Sequence, residues 1–505
     1  EGRAKISVSA STAIKLVSKL PKTYGSADAL YQVNQAIKHE LGLQPSSWDG
    51  ISSTDFMNNY NAPAGSIDPE TGFLMSERYP DVDWQKELFD DYAMSYNANV
   101  NIAGGTKDVK YYAAIDYQHE GDLFREWDNN RGYKGGYGFN RINVRSNLDF
   151  QLTKTTVLKA NLSGSHGIRN NPYGLEPNSW YETQLWQAAY SAPHDALLPR
   201  YSDGVWGYFE PDTQGAPNSV TNLALHGANQ TTTTRINTDF TLEQDLSFIT
   251  KGLKVSGLIS WDNVFVENNR GINDLYNNAQ YRYINPKTGA VSYAEKPAGN
   301  NNFDFVETIA WKTDGGSLNN NATQRNLFYQ AQLFWGRQFG KHDVTAMGVF
   351  NRSERAIGSD FTNYREDWAF RATYNYDSRY FFEYNGAYNG SEKFSPDNRF
   401  AFFNSGAIGW SLANEKWFKP IAETKLFGRN LIDILKFRYS YGEIGEDSVW
   451  ERWLYQTQWS YGGNTHLDST NPNNSSIYTW YKEKKVGNPD IHWEKAIKQN
   501  FGIDF

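Results

Sequence analysis

Between Arg141 and Leu152 the chain alternates. Ile142, Val144, Leu148, Phe150 and Leu152 are apolar, with Ser146 the one gap. Arg141, Asn143, Arg145, Asn147, Asp149 and Gln151 lie between them. An extended segment with this pattern has one greasy face and one wet face. The pattern recurs about a dozen times, in segments of roughly ten residues, the length that spans a bilayer when tilted. A soluble sandwich would bury the apolar faces against each other, whereas a transmembrane barrel would turn them to lipid and the polar faces to a lumen.

Composition narrows the choice. Apolar residues make up 39% of the chain, and no run approaches the ~20 apolar residues of a membrane helix, so a helical membrane protein is excluded. A barrel is not excluded, because lumen faces and loops dilute the average. The 33 Tyr, 29 Phe and 17 Trp suit the aromatic girdles of a barrel, and they suit sugar binding as well. With no Cys, the chain uses no disulfide, thiolate chemistry or Cys-ligated metal. A net charge of −8 with no basic block argues against nucleic acid as a partner. The sequence opens at Glu1 without Met or an apolar leader, so a signal peptide is expected to lie outside it.

Fourteen strands are expected, near 4–12, 96–103, 109–118, 140–151, 157–165, 235–246, 252–262, 325–336, 343–351, 367–376, 379–389, 400–412, 432–442 and 497–505. Short links (Gly104–Asp108, Leu152–Thr156, Ser247–Lys251, Arg337–His342, Asp377–Ser378) alternate with long ones (13–95, 119–139, 166–234, 263–324, 352–366, 390–399, 443–496). Tight turns on one membrane face and large loops on the other give this rhythm, and a sandwich does not. The link 413–431 is longer than its short-side position predicts. In 367–376, Trp368, Phe370, Ala372, Tyr374 and Tyr376 oppose Arg371, Thr373 and Asn375. In 432–442, Leu435, Phe437, Tyr439 and Tyr441 oppose Lys436, Arg438 and Ser440. In 325–336 the wet face is mixed, because Phe328 and Phe334 sit on it. A Lys or Arg at mid-bilayer on a lipid face costs ~2–4 kcal/mol, which is what the separation avoids. Two helices are expected inside the first long link. Ala27–Leu41 spaces Leu30, Val33, Ile37 and Leu41 helically, and Asp81–Tyr92 carries Trp84, Leu88 and Phe89 after Pro80.

Five phrases, in order along the chain, carry a resemblance: EGRAKISVSAST at the start, YPDVDWQKELFDDYAMSYNANVNIAGGTKDVKYYAAIDYQHEGDLF at 79–124, FRATYNYDSRYFFEYNGAYNGSEKFSPDNRFAFFNSGAIGWSLANEKWF at 370–418, then LKFRYSYGEIGED and VGNPDIHWEKAIKQNFGIDF. With them the chain resembles the SusC/RagA-like TonB-dependent (TonB-linked) outer-membrane transporters of Bacteroidetes. The resemblance implies an all-β transmembrane antiparallel barrel of 22 strands, with short periplasmic turns, long extracellular loops and an N-terminal plug. It also implies uptake of oligosaccharides or peptides, energised through the TonB complex, under a SusD-like surface lipoprotein as lid. No plug and no TonB-contacting segment are found in this chain, and about 14 strands are too few for the family's barrel. The chain 1–505 is therefore expected to be a partial barrel domain, within which 13–95 is an extracellular loop region with short helices. A complete smaller barrel is the rival, since Phe501, Ile503 and Phe505 alternate at the end. The closing phrase matches an internal segment of the family, which favours the partial barrel.

No catalytic signature emerges. His39-Glu40 lacks the second His of HExxH, and Gly164-Ser165-His166-Gly167 has the wrong order for a nucleophile elbow. P-loop and EF-hand patterns are missing, and Gly135–Gly138 reads as a flexible bend. His194-Asp195, with Arg200 nearby, has no nucleophile beside it and reads as structural or binding. No cofactor or metal is expected. The aromatic loops hold the binding candidates. Loop 166–234 carries Trp180, Tyr181, Trp186, Tyr190, Tyr201, Trp206 and Tyr208, and loop 443–496 carries Trp450, Trp453, Trp459 and Trp480. From these, Trp180, Tyr181, Trp186, Trp206, Tyr208, Trp450 and Trp453 are singled out for substrate, by stacking on sugar rings or contacting peptide. For any single ring, packing within the loops is the competing reading. Trp261, Trp335 and Trp410 at strand ends are expected to be interface anchors. The expected activity is transport and not catalysis, with outer-membrane lipid as the surrounding partner. The alternatives are a secreted glycan-active or glycan-binding β-protein and a passive porin.

Overall fold

The computed structural model describes residues 2–40, 42, 45–175, 179–295, 309–426, 429–449, 451–465 and 478–505. Alternation produces strands throughout. In chain order they are β1 (Gly2–Lys15), β2 (Ala93–Gly105), β3 (Val109–Gly121), β4 (Gly138–Gln151), β5 (Thr156–Pro172), β6 (Gly227–Asp245), β7 (Leu253–Asn273), β8 (Gln324–Phe339), β9 (His342–Ile357), β10 (Asn363–Tyr376), β11 (Tyr380–Ser391), β12 (Phe400–Ser411), β13 (Lys436–Glu446) and β14 (Glu494–Asp504). Each pairs with the next in one antiparallel meander, and the short strand Lys312–Leu318 adds to the far end of β7. All fourteen expected strands are present, several of them longer than the periodicity predicts. Among the described residues β1 and β14 are each paired on one side only, so the sheet does not close into a fourteen-stranded barrel. It is the partial barrel wall that the resemblance implies.

Register carries the alternation from strand to strand. Val8 faces Val100, which faces Ile115, then Val144, Gly164 and Ile236. Further along, Leu333 faces Gly348, which faces Phe370 and then Gly386. The apolar faces thus join into one surface, on which Val8, Ile115, Phe240, Ile259, Leu333, Trp368, Phe382, Ile408 and Phe501 are exposed. A slip of one residue in any pairing would turn a strand's charges outward. Arg145, Lys159, Arg235, Lys254, Arg371 and Arg438 all lie on the opposite face. No helix among the described residues is long and apolar enough to cross a membrane.

The links follow the expected rhythm, with two corrections. The turn between β10 and β11 is tight: Asp377 and Ser378 both have positive φ, and Arg379 N–H bonds to Tyr376 C=O at 2.9 Å, the geometry that matches strand twist. The link expected at 352–366 is mostly strand, because β9 and β10 continue pairing and leave only 358–362. The helix expected over Asp81–Tyr92 is shorter, at Trp84–Leu88. The Asp83 carboxylate caps its start by accepting from Gln85 N–H at 3.2 Å. Its end is set by Phe89, which turns extended to bridge Phe124 before β2 begins. The helix expected at 27–41 is found as Ser26–His39.

The long links fold together into a cap with its own core. Trp84 and Leu88 pack with Leu175, Leu185, Ala188 and Ala189 of one link and with Leu197, Trp206, Val220, Leu223 and Leu225 farther along it. Helices Trp180–Ser191 and Ser219–Ala224 supply much of this core, and neither is anticipated by the periodicity.

Candidate functional site

The cap is tied down by polar groups, most of them buried, that bridge its segments. The Asp81 carboxylate accepts from Ser26 N–H at 2.8 Å and from the Ser26 hydroxyl at 3.0 Å, and His194 Nδ1 lies 3.3 Å away. Burial opposes its charge, but these partners outweigh burial and hold the carboxyl below the usual carboxylate range. His194 also gives its carbonyl to Val82 N–H at 3.0 Å, and the Trp84 indole donates to Pro193 C=O at 3.2 Å. The His194-Asp195 pair is thus a strut between two links, and Asp195 is pushed up by burial and then by nearby Asp81.

A second tie centres on Arg78. Its Nη1 donates to Asp68 at 2.9 Å and its Nε donates to Pro286 C=O at 3.2 Å. Burial opposes the Asp68 charge, yet the Thr71 hydroxyl and Arg78 together keep it lowered. Glu77 accepts from Ser202 N–H at 2.9 Å, which joins this segment to the aromatic link. A third tie joins Arg131 and Tyr133 to Asp274, with Arg131 Nη2 at 2.7 Å and the Tyr133 hydroxyl at 2.7 Å. Buried charges of this kind are tolerated because each is paired.

The aromatic candidates fall into different settings. Trp180 opens the helix Trp180–Ser191 and is 64% exposed. Tyr181 meets His226 edge-on at 4.5 Å. Trp186 is half-exposed, packed on Phe89 and Phe124, with Tyr190 one turn along the same helix face. Trp206 is 5% exposed inside the cap core, with the Arg200 guanidinium over its ring at 4.9 Å. Tyr208 donates to the Ser292 hydroxyl at 3.2 Å. Trp453 stands apart, between Phe361 at 5.5 Å and Arg452 at 4.5 Å. Trp450 lies outside the described residues. Trp180, Tyr181 and Trp186 are thus brought together on one helix, and Trp453 is not brought to them. Of the expected anchor rings, Trp261 and Trp410 are exposed on the apolar face of the sheet.

The polar wall beneath the cap holds a site that the motif search misses. A cleft of about 360 Å³ on β2–β6 is lined by Asn99, Tyr112, Asp116, Asn143, Arg145, Ser163, Ser165, Arg235 and Asn237. The Asn143 amide donates to Asp116 at 2.7 Å. Alternation alone assigns these side chains to the wet face. Gathering them needs the register, which places Arg145 beside Ser163 and Arg235 beside Ser165. The wall offers both donors and acceptors, so it suits a polar, hydrogen-bonding solute. Among the described residues no three His, Asp or Glu side chains gather to hold a metal ion.

Comparisons with known proteins agree with this geometry. No protein-family model matches the chain. The chain is 23% identical to the TonB-dependent receptor P26 of Formosa agariphila, over all of this chain and 44% of that protein. It is 22% identical to the TonB-dependent receptor SusC of Bacteroides thetaiotaomicron, over 84% of this chain and 40% of that protein. The chain thus spans less than half the length of the curated relatives it matches. The RagAB peptide importer in its open-open state shares the fold, with TM-score 0.60 and 16% identity, over the whole of this chain and 52% of that one.

Proposed function

We propose that this chain, which carries part of the barrel of a SusC/RagA-like TonB-dependent receptor in the bacterial outer membrane, serves the active import of oligosaccharides or peptides. The observation that carries the reading is the unbroken apolar face across fourteen paired strands, backed by a polar wall and topped by a cap of long links. Lipid would solvate the first surface, and the second would line the path of the cargo. Cargo would be held between the exposed rings of the cap, the polar wall and the family's plug. Trp180, Tyr181 and Trp186 are the rings best placed to touch it, with Tyr208 and Trp453 at the margins. Trp206 serves from within, by holding the link that carries Tyr208, and Trp450 stays a candidate on the aromatic content of loop 443–496 alone. A SusD-like lipoprotein would close over the cap, and the TonB complex would pull the plug to open the path. Binding and gating suffice for this work, and no catalytic group is assigned.

The family supports import as the activity, and RagAB, a peptide importer, shares the fold. The test is uptake of fluorescent oligosaccharides and of fluorescent peptides by cells with and without the full-length protein. Loss of uptake for one class, reproduced by removing TonB or by a protonophore, is the expected result. Uptake that persists without TonB would make the protein a passive pore, and uptake unchanged by its deletion would overturn import altogether.

A further inference from the structure

Several basic groups on the polar wall are matched across strands. Arg371 pairs with Glu383 at 2.9 Å, Lys159 with Glu243 at 2.7 Å and Arg438 with Asp504 at 3.3 Å, and Arg141 donates to Gln118 at 2.8 Å. Arg145 and Arg235 are not matched in this way, and they differ from the other unmatched cations of the wall, such as Lys254, in sharing one cleft. Both line the cleft on β2–β6, both are exposed, and neither has an ion-pair or hydrogen-bond partner among the described residues. The carboxylate in the cleft lining is engaged elsewhere. Asp116 accepts from Asn143, and Asp262 faces Asn237 in register and makes no ion pair with Arg235.

Register shows what the two arginines share. Arg145 sits opposite Ser163, and Arg235 sits opposite Ser165, so the two flank β5 from either side. They stand two strand spacings apart, about 10 Å, and are offset by two residues. Between them the floor is only Ser163 and Ser165, since Gly164 belongs to the apolar face. Two long cationic side chains over a floor of hydroxyls make a place where one oxyanion can be held from both sides, with Ser and Asn hydroxyl and amide groups to complete it.

We infer that Arg145 and Arg235 form an oxyanion clamp on the lumen wall, which takes a carboxylate or sulfate group between the two guanidinium groups. This rests on the polar face lining the lumen, as proposed above. The same chemistry has two sources, an acidic group on the cargo or a carboxylate of another lumen-filling segment of the full-length protein, and the experiment separates them.

This chain has no cysteine, so, with any cysteine elsewhere in the full-length protein replaced by serine, Ser163→Cys places a single thiol on the floor of the clamp. In the full-length protein in detergent, its rate of modification is compared for an anionic and a cationic methanethiosulfonate. Ile142→Cys, on the apolar face, is the control. If the clamp is open to cargo, the anionic reagent is favoured, and Arg145→Gln with Arg235→Gln cuts the preference on the order of ten-fold. If a protein carboxylate already fills it, no preference appears and the same double variant lowers Tm by several degrees. Neither preference nor a Tm change overturns the clamp. A thiol at 163 that reacts no faster than one at 142 overturns instead the lumen reading beneath it.

Discussion

The sheet and the cap are built from the same chain by opposite rules. In the sheet, apolar side chains point away from the protein, and its outward rings are about half exposed. In the cap, Trp84, Leu88, Leu185 and Val220 are almost wholly buried, as in any water-soluble core. The sheet is stabilised by ladder hydrogen bonds and by lipid, whereas the cap is stabilised by burial and by paired charges. The lesson is that a polar composition with few buried residues is not a sign of poor packing here, because the sheet's apolar partner is the membrane.

Substitutions can pull the two regions apart. Trp84→Ala should cost ~3–5 kcal/mol, because it empties the centre of the cap. Hydrogen exchange should then rise in Trp180–Ser191 and Ser219–Ala224 while β2–β5 stay protected. Equal loss in both regions would show that cap and sheet unfold as one. Val144→Arg should cost ~2–4 kcal/mol in lipid vesicles, against about 0.5 kcal/mol or less for Asn147→Arg on the other face. Urea unfolding in vesicles measures this difference, and equal costs would mean that the faces are not in different solvents.

Acid provides a gentler probe of the cap. Asp68 and Asp81 have folded pKa values lowered from the usual carboxylate range, so they stabilise the cap above that range and lose this contribution as pH falls through the folded values. Cap exchange should therefore be unaffected by these groups between pH 7 and 5 and should rise only below about pH 4. A rise already at pH 6 would show that these two carboxylates are not what limits the cap. The smallest effect is expected for Trp180→Ala. Stability should shift by no more than ~0.5 kcal/mol, while binding of an oligosaccharide or peptide cargo weakens on the order of five-fold, the size of one aromatic contact. Titration by intrinsic fluorescence reads the second effect, and unchanged affinity would remove Trp180 from the cargo path.

The wall was legible in the sequence because a period of two survives in every strand, and Ile142 to Gln151 announces both faces at once. Strand ends were less legible. The ladder between β9 and β10 continues past Phe350 through Arg352, Glu354 and Glu366, polar residues that extend pairing where lipid no longer sorts them. Helix Trp180–Ser191 was hidden because its rings are spread around it, with Trp180 and Trp186 exposed and Leu185 and Ala189 buried. The abundance of rings in loop 166–234 pointed to the right segment, but not to the difference between Trp180, which faces solvent, and Trp206, which holds the core. The Arg145–Arg235 cleft depends on a register across β4, β5 and β6, and sequences far apart on the chain do not state their register.

The central claim is that β4 separates lipid from water. Single cysteines placed from Ile142 to Gln151 in the full-length protein, spin-labelled in lipid vesicles, test it most directly through their accessibility to oxygen and to a water-soluble nickel chelate. The account predicts a strict period of two, with 142, 144 and 148 open to oxygen and 143, 145 and 147 open to the chelate. Equal accessibility along the strand, or the opposite phase, would contradict it.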